Sequence, residues 1–203
     1  MKLAVVGSIN IDMTVTSERI PLKGETLMGD SIKEELKNYD MVVLQHEIPL
    51  ETVHYTVEFC AENNIPVILN PAPAAEVPME VVEKVTYLTP NEHEAVLIFG
   101  KELSTEELLK KYPEKLLITQ GSRGVSTCLK NGEILNVPAR PAKVADTTGA
   151  GDTLNGAFSV KIANGADIKT ALTFANTAAS LSTEKFGAQT GMPTVSEVEK
   201  ELQ

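Results

Sequence analysis

Tryptophan is absent and only 4% of the residues are aromatic, so any core must be built from aliphatic side chains. Cysteine is nearly absent too. Cys60 and Cys128 are the only two and lie far apart, which excludes a disulfide framework and leads us to expect reduced thiols that serve as packing residues. No apolar run approaches the roughly 20 residues of a membrane-spanning helix. The opening "MKLAVVGSIN" carries one Lys and a short apolar run ending at Gly7, the pattern of a strand and not of a secretion signal. Positive charge is scarce: Lys and Arg number 18 against 28 Asp and Glu, a formal net charge of −10. That balance argues against nucleic acid or an anionic membrane as a partner. An anionic small molecule would have to be held by backbone N–H groups and helix ends, because the global field repels it. Two common nucleotide motifs are missing as well. "GSINID" stands where a dinucleotide fold needs G-x-G-x-x-G, and no G-x-x-x-x-G-K-[ST] occurs anywhere. With no repeat, low-complexity tract or flexible linker in 203 residues, one soluble, cytoplasmic domain is expected.

What is present is a regular alternation. "KLAVVG", "MVVLQ", "PVILN", "YLT" and "KLLIT" have the apolar character of buried strands. Helical stretches fall between them: "SIKEELKNYD" with Ser31 as N-cap, "LETVHYTVEFCAENN", "MEVVEKV", "NEHEAVLIF" and "STEELLKKY". The order predicts an α/β fold with a mostly parallel sheet covered on both faces. "IDMTVT" and "PLKGETLMG" predict two further short strands. "GVSTCLKNGEILNVPA" predicts an antiparallel hairpin turning at Asn131-Gly132, and the C-terminal third is helical.

Ligands of parallel sheets sit outside the carboxyl ends of the strands, so residues just after each strand carry the functional signal. They are Asn10 and Asp12, Glu47, Asn70, Asn91 and Glu94, and "TQGSRG" (Thr119 to Gly124). The most informative stretch is "ADTTGAGDT". Gly149, Ala150 and Gly151 stand at a helix start, where small residues let backbone N–H groups converge on an anion. Asp152 follows in the first turn, placed to take a proton from an attacking hydroxyl. The plain alternative is an N-capping Asp behind a Gly-rich corner. "NEHE" is either a solvated first turn or a phosphate contact at Asn91 beside a water-mediated Mg²⁺ contact at Glu94. Arg123 is more ordinarily a surface residue than a phosphate clamp. His46, His54 and His93 show no metal-ligand spacing.

These motifs occur together and in order: "GSINID", "PLKGET", "NPAPA", "TPNEHEA", "TQGSRG", "DTTGAGDTLNGAF" and "GAQTGMP". In this the chain resembles the ribokinase-like carbohydrate kinases, the PfkB superfamily. The resemblance implies a three-layer sandwich with a small β lid, and transfer of the ATP γ-phosphoryl to the 5-hydroxyl of D-ribose, with Mg²⁺ and K⁺ as cofactors. By position it implies Asp152 as the base and Gly149, Ala150 and Gly151 as the anion hole. It implies Asn91, Thr119, Gln120, Gly121, Ser122, Arg123, Gly124 and Asn176 as the ATP site, with Glu94 near Mg²⁺. Asn10, Ile11, Asp12 and Glu47 match sugar contacts. Asp146, Thr148, Ser182, Lys185, Gly187 and Gly191 match the positions around a monovalent cation, most contributing backbone carbonyls.

The match has a gap. A "GGKGAN"-like sugar clamp, which follows the "GET" strand in the family, is absent here, and "GETLMGDS" runs directly into "IKEELKNYD". The expectation is one domain over residues 1–203, with 11–29 as a vestige of the lid and 31–203 as the nucleotide-binding and catalytic part. Relatives dimerise through the lid, so its reduction puts a homodimer in doubt. A catalytically silent nucleotide-binding remnant, or an engineered deletion lacking the sugar clamp, stands as the alternative to a working sugar kinase.

Overall fold

The computed structural model describes residues 2–6 and 30–203, with only the backbone of residues 30–32. The expected lid vestige at 11–29 and the expected sugar contacts Asn10, Ile11 and Asp12 lie outside the described residues.

Strands β1 (Leu3–Val6), β2 (Met41–Gln45), β3 (Val67–Asn70) and β4 (Tyr87–Leu88) pair in parallel and in chain order. Parallel neighbours cannot be joined by a tight turn. The chain accordingly enters β2 from helix α1 (Asp30–Leu36), β3 from α2 (Leu50–Glu62) and β4 from α3 (Met79–Lys84). Helices α4 (Glu92–Phe99) and α5 (Thr105–Lys111) lead to β5 (Ile118–Thr119). Parallel bridges Leu88–Leu116 and Asn91–Thr119 join β4 to the β5 segment. The sheet therefore continues into the antiparallel strands β6 (Val125–Cys128) and β7 (Ile134–Val137).

Period-two alternation along β2 shows why there are three layers. Val42 and Leu44 face one core with Val53, Val57 and Cys60 of α2, while Met41 and Val43 face another. Strands that advance in one direction place α1, α2, α3 and α5 together on the first face. The second face is covered by α6 (Ala150–Ala163) and α7 (Ile168–Ser182), through Leu154, Phe158, Ala171 and Leu172. Leu44, Leu69, Leu172 and Phe158 are fully buried, each worth on the order of 2 kcal/mol over exposure. Helix α8 (Val195–Glu201) closes the fold by setting Val198 against Phe174 and Ala178 of α7.

Two local expectations change. Ser31 lies inside α1 and not at its N-cap, because the helix begins at Asp30. In the β6–β7 hairpin only Gly132 has positive φ, at 85°, and its N–H donates to Leu129 O at 2.9 Å. Asn131 instead accepts the Glu133 N–H through Oδ1 at 3.0 Å, a side-chain turn that its amide favours. Cys60 and Cys128 are buried free thiols, and burial pushes the Cys60 thiol up to about 11.

Candidate active site

The "GAGD" corner folds as expected at the N-terminus of α6. Gly149 is the N-cap and is left-handed, with φ 78°. A Cβ there would also sit 3.0 Å from Ala188 Cα, so both the turn and the close approach call for glycine. The donor set differs by one residue from the expected Gly149, Ala150 and Gly151. Ala150 N–H already donates to Thr147 O at 3.2 Å. Among the described residues, the N–H groups of Gly149, Gly151 and Asp152 have no acceptor. These three, with the positive end of the helix dipole, make a corner whose free donors suit an anion.

Side chains from the helix and the sheet lock this corner from below. Thr153 Oγ1 donates to Gly149 O at 2.8 Å, and Asn155 Nδ2 to Gly151 O at 2.9 Å. Asn155 Oδ1 accepts from Thr89 Oγ1 at 2.7 Å, and Asn70 Nδ2 donates to Thr89 O at 3.0 Å. Asn70, Thr89 and Asn155 are all buried, where an unsatisfied polar group would cost about 1–3 kcal/mol. This polar chain ties the ends of β3 and β4 to the first turn of α6. Sequence reasoning missed Thr89 and Asn155, although Asn155 stands four residues after Gly151, the spacing that brings a side-chain amide onto a helical carbonyl. Asp152 itself is exposed.

Asp146 plays a different part from Asp152. Its carboxylate accepts the Gly187 N–H and the Thr148 N–H, both at 2.9 Å, and these bonds hold it below the usual carboxylate range. The segment it pins bends so that carbonyl oxygens converge. A Cβ on Gly191 would lie 2.6 Å from Ser182 O, 2.9 Å from Gly187 O and 3.5 Å from Lys185 O. Ser182 and Lys185 side chains point elsewhere, Ser182 Oγ to Ala179 O and Lys185 Nζ to Glu197. That leaves their carbonyls as the shared feature.

Beside α6 lies a cavity of about 620 Å³, within the range of small-molecule sites. Its walls include Thr119, Gly121, Ser122, Gly124, Ala150, Gly151 and Asn176, seven of the residues expected at the nucleotide and anion sites. Asn176 Nδ2 is committed to Val137 O and Pro138 O, at 3.1 and 2.8 Å, and so fastens the end of β7 against α7. Gln120 and Arg123 do not line the cavity. Gln120 Oε1 accepts from Ser126 Oγ at 2.6 Å, and Arg123 is paired on the surface with Glu92. Asn91 and Glu94 form a reciprocal capping box on α4: Glu94 N–H to Asn91 Oδ1 at 2.9 Å, Asn91 N–H to Glu94 Oε2 at 2.8 Å. Burial raises the Glu94 carboxyl above its ordinary range. Glu47 is exposed just beyond β2. Sequence reasoning also missed Arg140, Pro141, Ala142 and Val144, which line the same cavity.

No group of three or more His, Cys, Asp or Glu among the described residues could hold a metal ion. No described helix is long and apolar enough to cross a membrane.

The family model described as "pfkB family carbohydrate kinase" matches residues 25–195. The chain belongs to the pfkB family. It is 52% identical over 169 residues to a ribokinase of Bacillus subtilis (strain 168), covering 83% of this chain and 57% of that protein. A solved ribokinase of Thermotoga maritima shares the fold with a TM-score of 0.74 at 36% identity, over 84% of this chain and 59% of the other. An Arabidopsis thaliana ribokinase complexed with ribose and ATP gives a TM-score of 0.79 at 30% identity, over 87% and 60%. The three-layer α/β architecture is thus that of the ribokinase structures, and the chain spans less than two thirds of these pfkB-family relatives.

Proposed function

We propose that the chain is an ATP-dependent sugar kinase that phosphorylates the 5-hydroxyl of D-ribose. The observation that carries this is the start of α6, where three unpaired N–H groups and Asp152 flank Ala150 and Gly151, two residues that line a nucleotide-sized cavity. Asp152 takes the proton of the sugar hydroxyl as that oxygen attacks the γ-phosphorus in line and the bond to the β,γ-bridging oxygen breaks, releasing ADP. The Gly149, Gly151 and Asp152 N–H groups stabilise the charge that builds on the equatorial oxygens. The Asn155–Thr89 chain keeps these donors fixed, so little reorganisation is needed at the moment of transfer.

Two cations belong to this proposal. The converging carbonyls of Ser182, Gly187 and Lys185 offer an all-oxygen cradle suited to a monovalent cation such as K⁺. Glu94, whose Oε2 also accepts the Asn91 N–H, would supply one carboxylate to a Mg²⁺ held mostly by water and phosphate. When bound, these ions supply positive charge that neutralises the phosphate oxygens.

A Cβ on Gly191 would occupy the carbonyl cradle while leaving Asp152 untouched. Gly191→Ala is expected to abolish K⁺ activation, with turnover at saturating K⁺ falling about 10²-fold if the ion supplies several kcal/mol of charge stabilisation. A variant that keeps the wild-type K⁺ response would remove the cation from the proposal. Glu94→Gln separates its two roles, since Gln also closes a capping box. Tm should stay within about 4 °C, the equivalent of 1 kcal/mol or less for a domain of this size, while the Mg²⁺ requirement rises several-fold. An unchanged Mg²⁺ curve would leave Glu94 as a cap alone.

The decisive assay is ADP release coupled to NADH oxidation, with ribose, ATP, Mg²⁺ and K⁺, scored against reactions lacking sugar. A second function, nucleotide binding without transfer, is favoured by one observation: the sequence lacks a sugar clamp and spans 57% of its Bacillus relative. Saturable ADP binding without ribose-dependent turnover would select it.

A further inference from the structure

Part of the cavity wall is the segment between β7 and α6, through Ala139, Arg140, Pro141, Ala142 and Val144. It is held at its start by Asn176, through Val137 O and Pro138 O, and at its end by the Ala145 and Asp146 N–H groups, which donate to Thr183 O at 2.7 and 3.1 Å. Between those anchors, among the described residues, every hydrogen bond of 139–144 involves Arg140. Its N–H donates to Ser180 Oγ at 3.2 Å, and its Nη1 to Pro141 O at 3.2 Å and to Glu184 Oε1 at 2.7 Å. Its Nε donates to Glu201 Oε2 at 2.7 Å. One guanidinium thus binds the loop to the residues just past α7 and to the last residue of α8, with its side chain only 27% exposed. Arg140 also lines the cavity.

We propose that Arg140 is a positioning residue for the nucleotide, and that through Glu201 it makes the C-terminal helix part of the nucleotide site. The proposal rests on the cavity being the ATP site. Physically, Pro141 has no N–H, and Ala142 and Val144 offer only apolar contact, so these residues cannot hold themselves in place. The forked guanidinium fixes their place in a wall shared with Gly151 and Asn176. Its single positive charge also offsets part of the negative charge of Glu184 and Glu201, which would otherwise repel a bound polyphosphate more strongly in a chain of net charge −10. Nothing in this arrangement reaches the reacting hydroxyl, so the effect falls on binding and not on transfer.

The test uses the full chain. ADP affinity is measured by calorimetry, and KM for ATP and kcat are measured for the wild type and for Arg140→Met, Arg140→Lys and Glu201→Gln. Loss of a charge-assisted fork predicts that Arg140→Met raises the ADP Kd and the KM for ATP about tenfold, with kcat within about twofold. Arg140→Lys recovers the charge without the fork and should fall between Met and wild type. Glu201→Gln, at an exposed helix end where folding is safe, should weaken ADP binding by about three- to fivefold. Arg140→Met combined with Glu201→Gln should lose less than the product of the two. Variants that are less stable but bind ADP with wild-type affinity would overturn the proposal and leave Arg140 a structural residue. An unchanged Kd in Glu201→Gln would overturn the part assigned to α8. A wild-type chain that binds no ADP would instead refute the nucleotide-site assignment itself, a separate failure.

Discussion

Asp152→Asn should lower ribose-dependent ADP release by about 10²–10⁴-fold, the usual worth of a positioned general base, while ADP still binds. The substitution is nearly isosteric and keeps the unpaired backbone N–H of the proposed phosphate corner. It also leaves Thr153 and Asn155 to brace the corner through Gly149 O and Gly151 O. What is lost is the carboxylate, its proton acceptance and its negative charge. Because Asp152 is exposed and its side chain makes no hydrogen bond among the described residues, stability should change little. The check pairs a coupled turnover assay with an ADP titration on the same preparations. Equal turnover in the wild type and the Asn variant would show that Asp152 is an ordinary first-turn carboxylate.

The second large effect is on stability. Gly124 ends the short 3₁₀ turn Gly121–Arg123 with φ 93° and ψ −136°, a region open essentially to glycine. A Cβ there would lie 2.0 Å from Val137 O, 2.7 Å from Ala139 N and 2.8 Å from Pro138 C, all backbone atoms that cannot rotate aside. Gly124→Ala must therefore either break the β6–β7 register or push the Ala139 segment out of the cavity wall. A loss of about 4 kcal/mol or more in urea unfolding is expected, at the diagnostic end of single substitutions. Gly121→Ala is the control. Gly121 has φ 57° but no atom within 4 Å of its Cβ position, so it should cost only the roughly 1–2 kcal/mol of a left-handed residue. Equal losses at the two positions would show that the backbone clash at Gly124 is relieved cheaply.

Much of the fold was legible because its signals are local. "MVVLQ" and "VILN" could be nothing but buried strands, and both place alternate residues in opposite cores. The "GAGD" helix start was equally plain, since glycine at an N-cap and small residues after it leave few alternatives. Long-range commitments were not legible. That Ala150 N–H is taken by Thr147 O, or that Thr89 reaches Asn155 across the sheet, depends on partners brought together only by the fold. Gln120 is expected at the nucleotide site by position, and the sequence did not show that its Oε1 accepts from the hydroxyl of Ser126 on the next strand. Arg140 carried no motif at all, and its meaning comes from two carboxylates 44 and 61 residues further on.

In the proposed function, the nucleotide-binding half of a pfkB kinase is present in this chain. A calorimetric titration of the full chain with ADP, in K⁺ and Mg²⁺, tests it most directly, beside a circular dichroism spectrum that establishes folding. The prediction is one saturable ADP site per chain, weakened in Arg140→Met. A folded chain that shows no saturable ADP binding would contradict it.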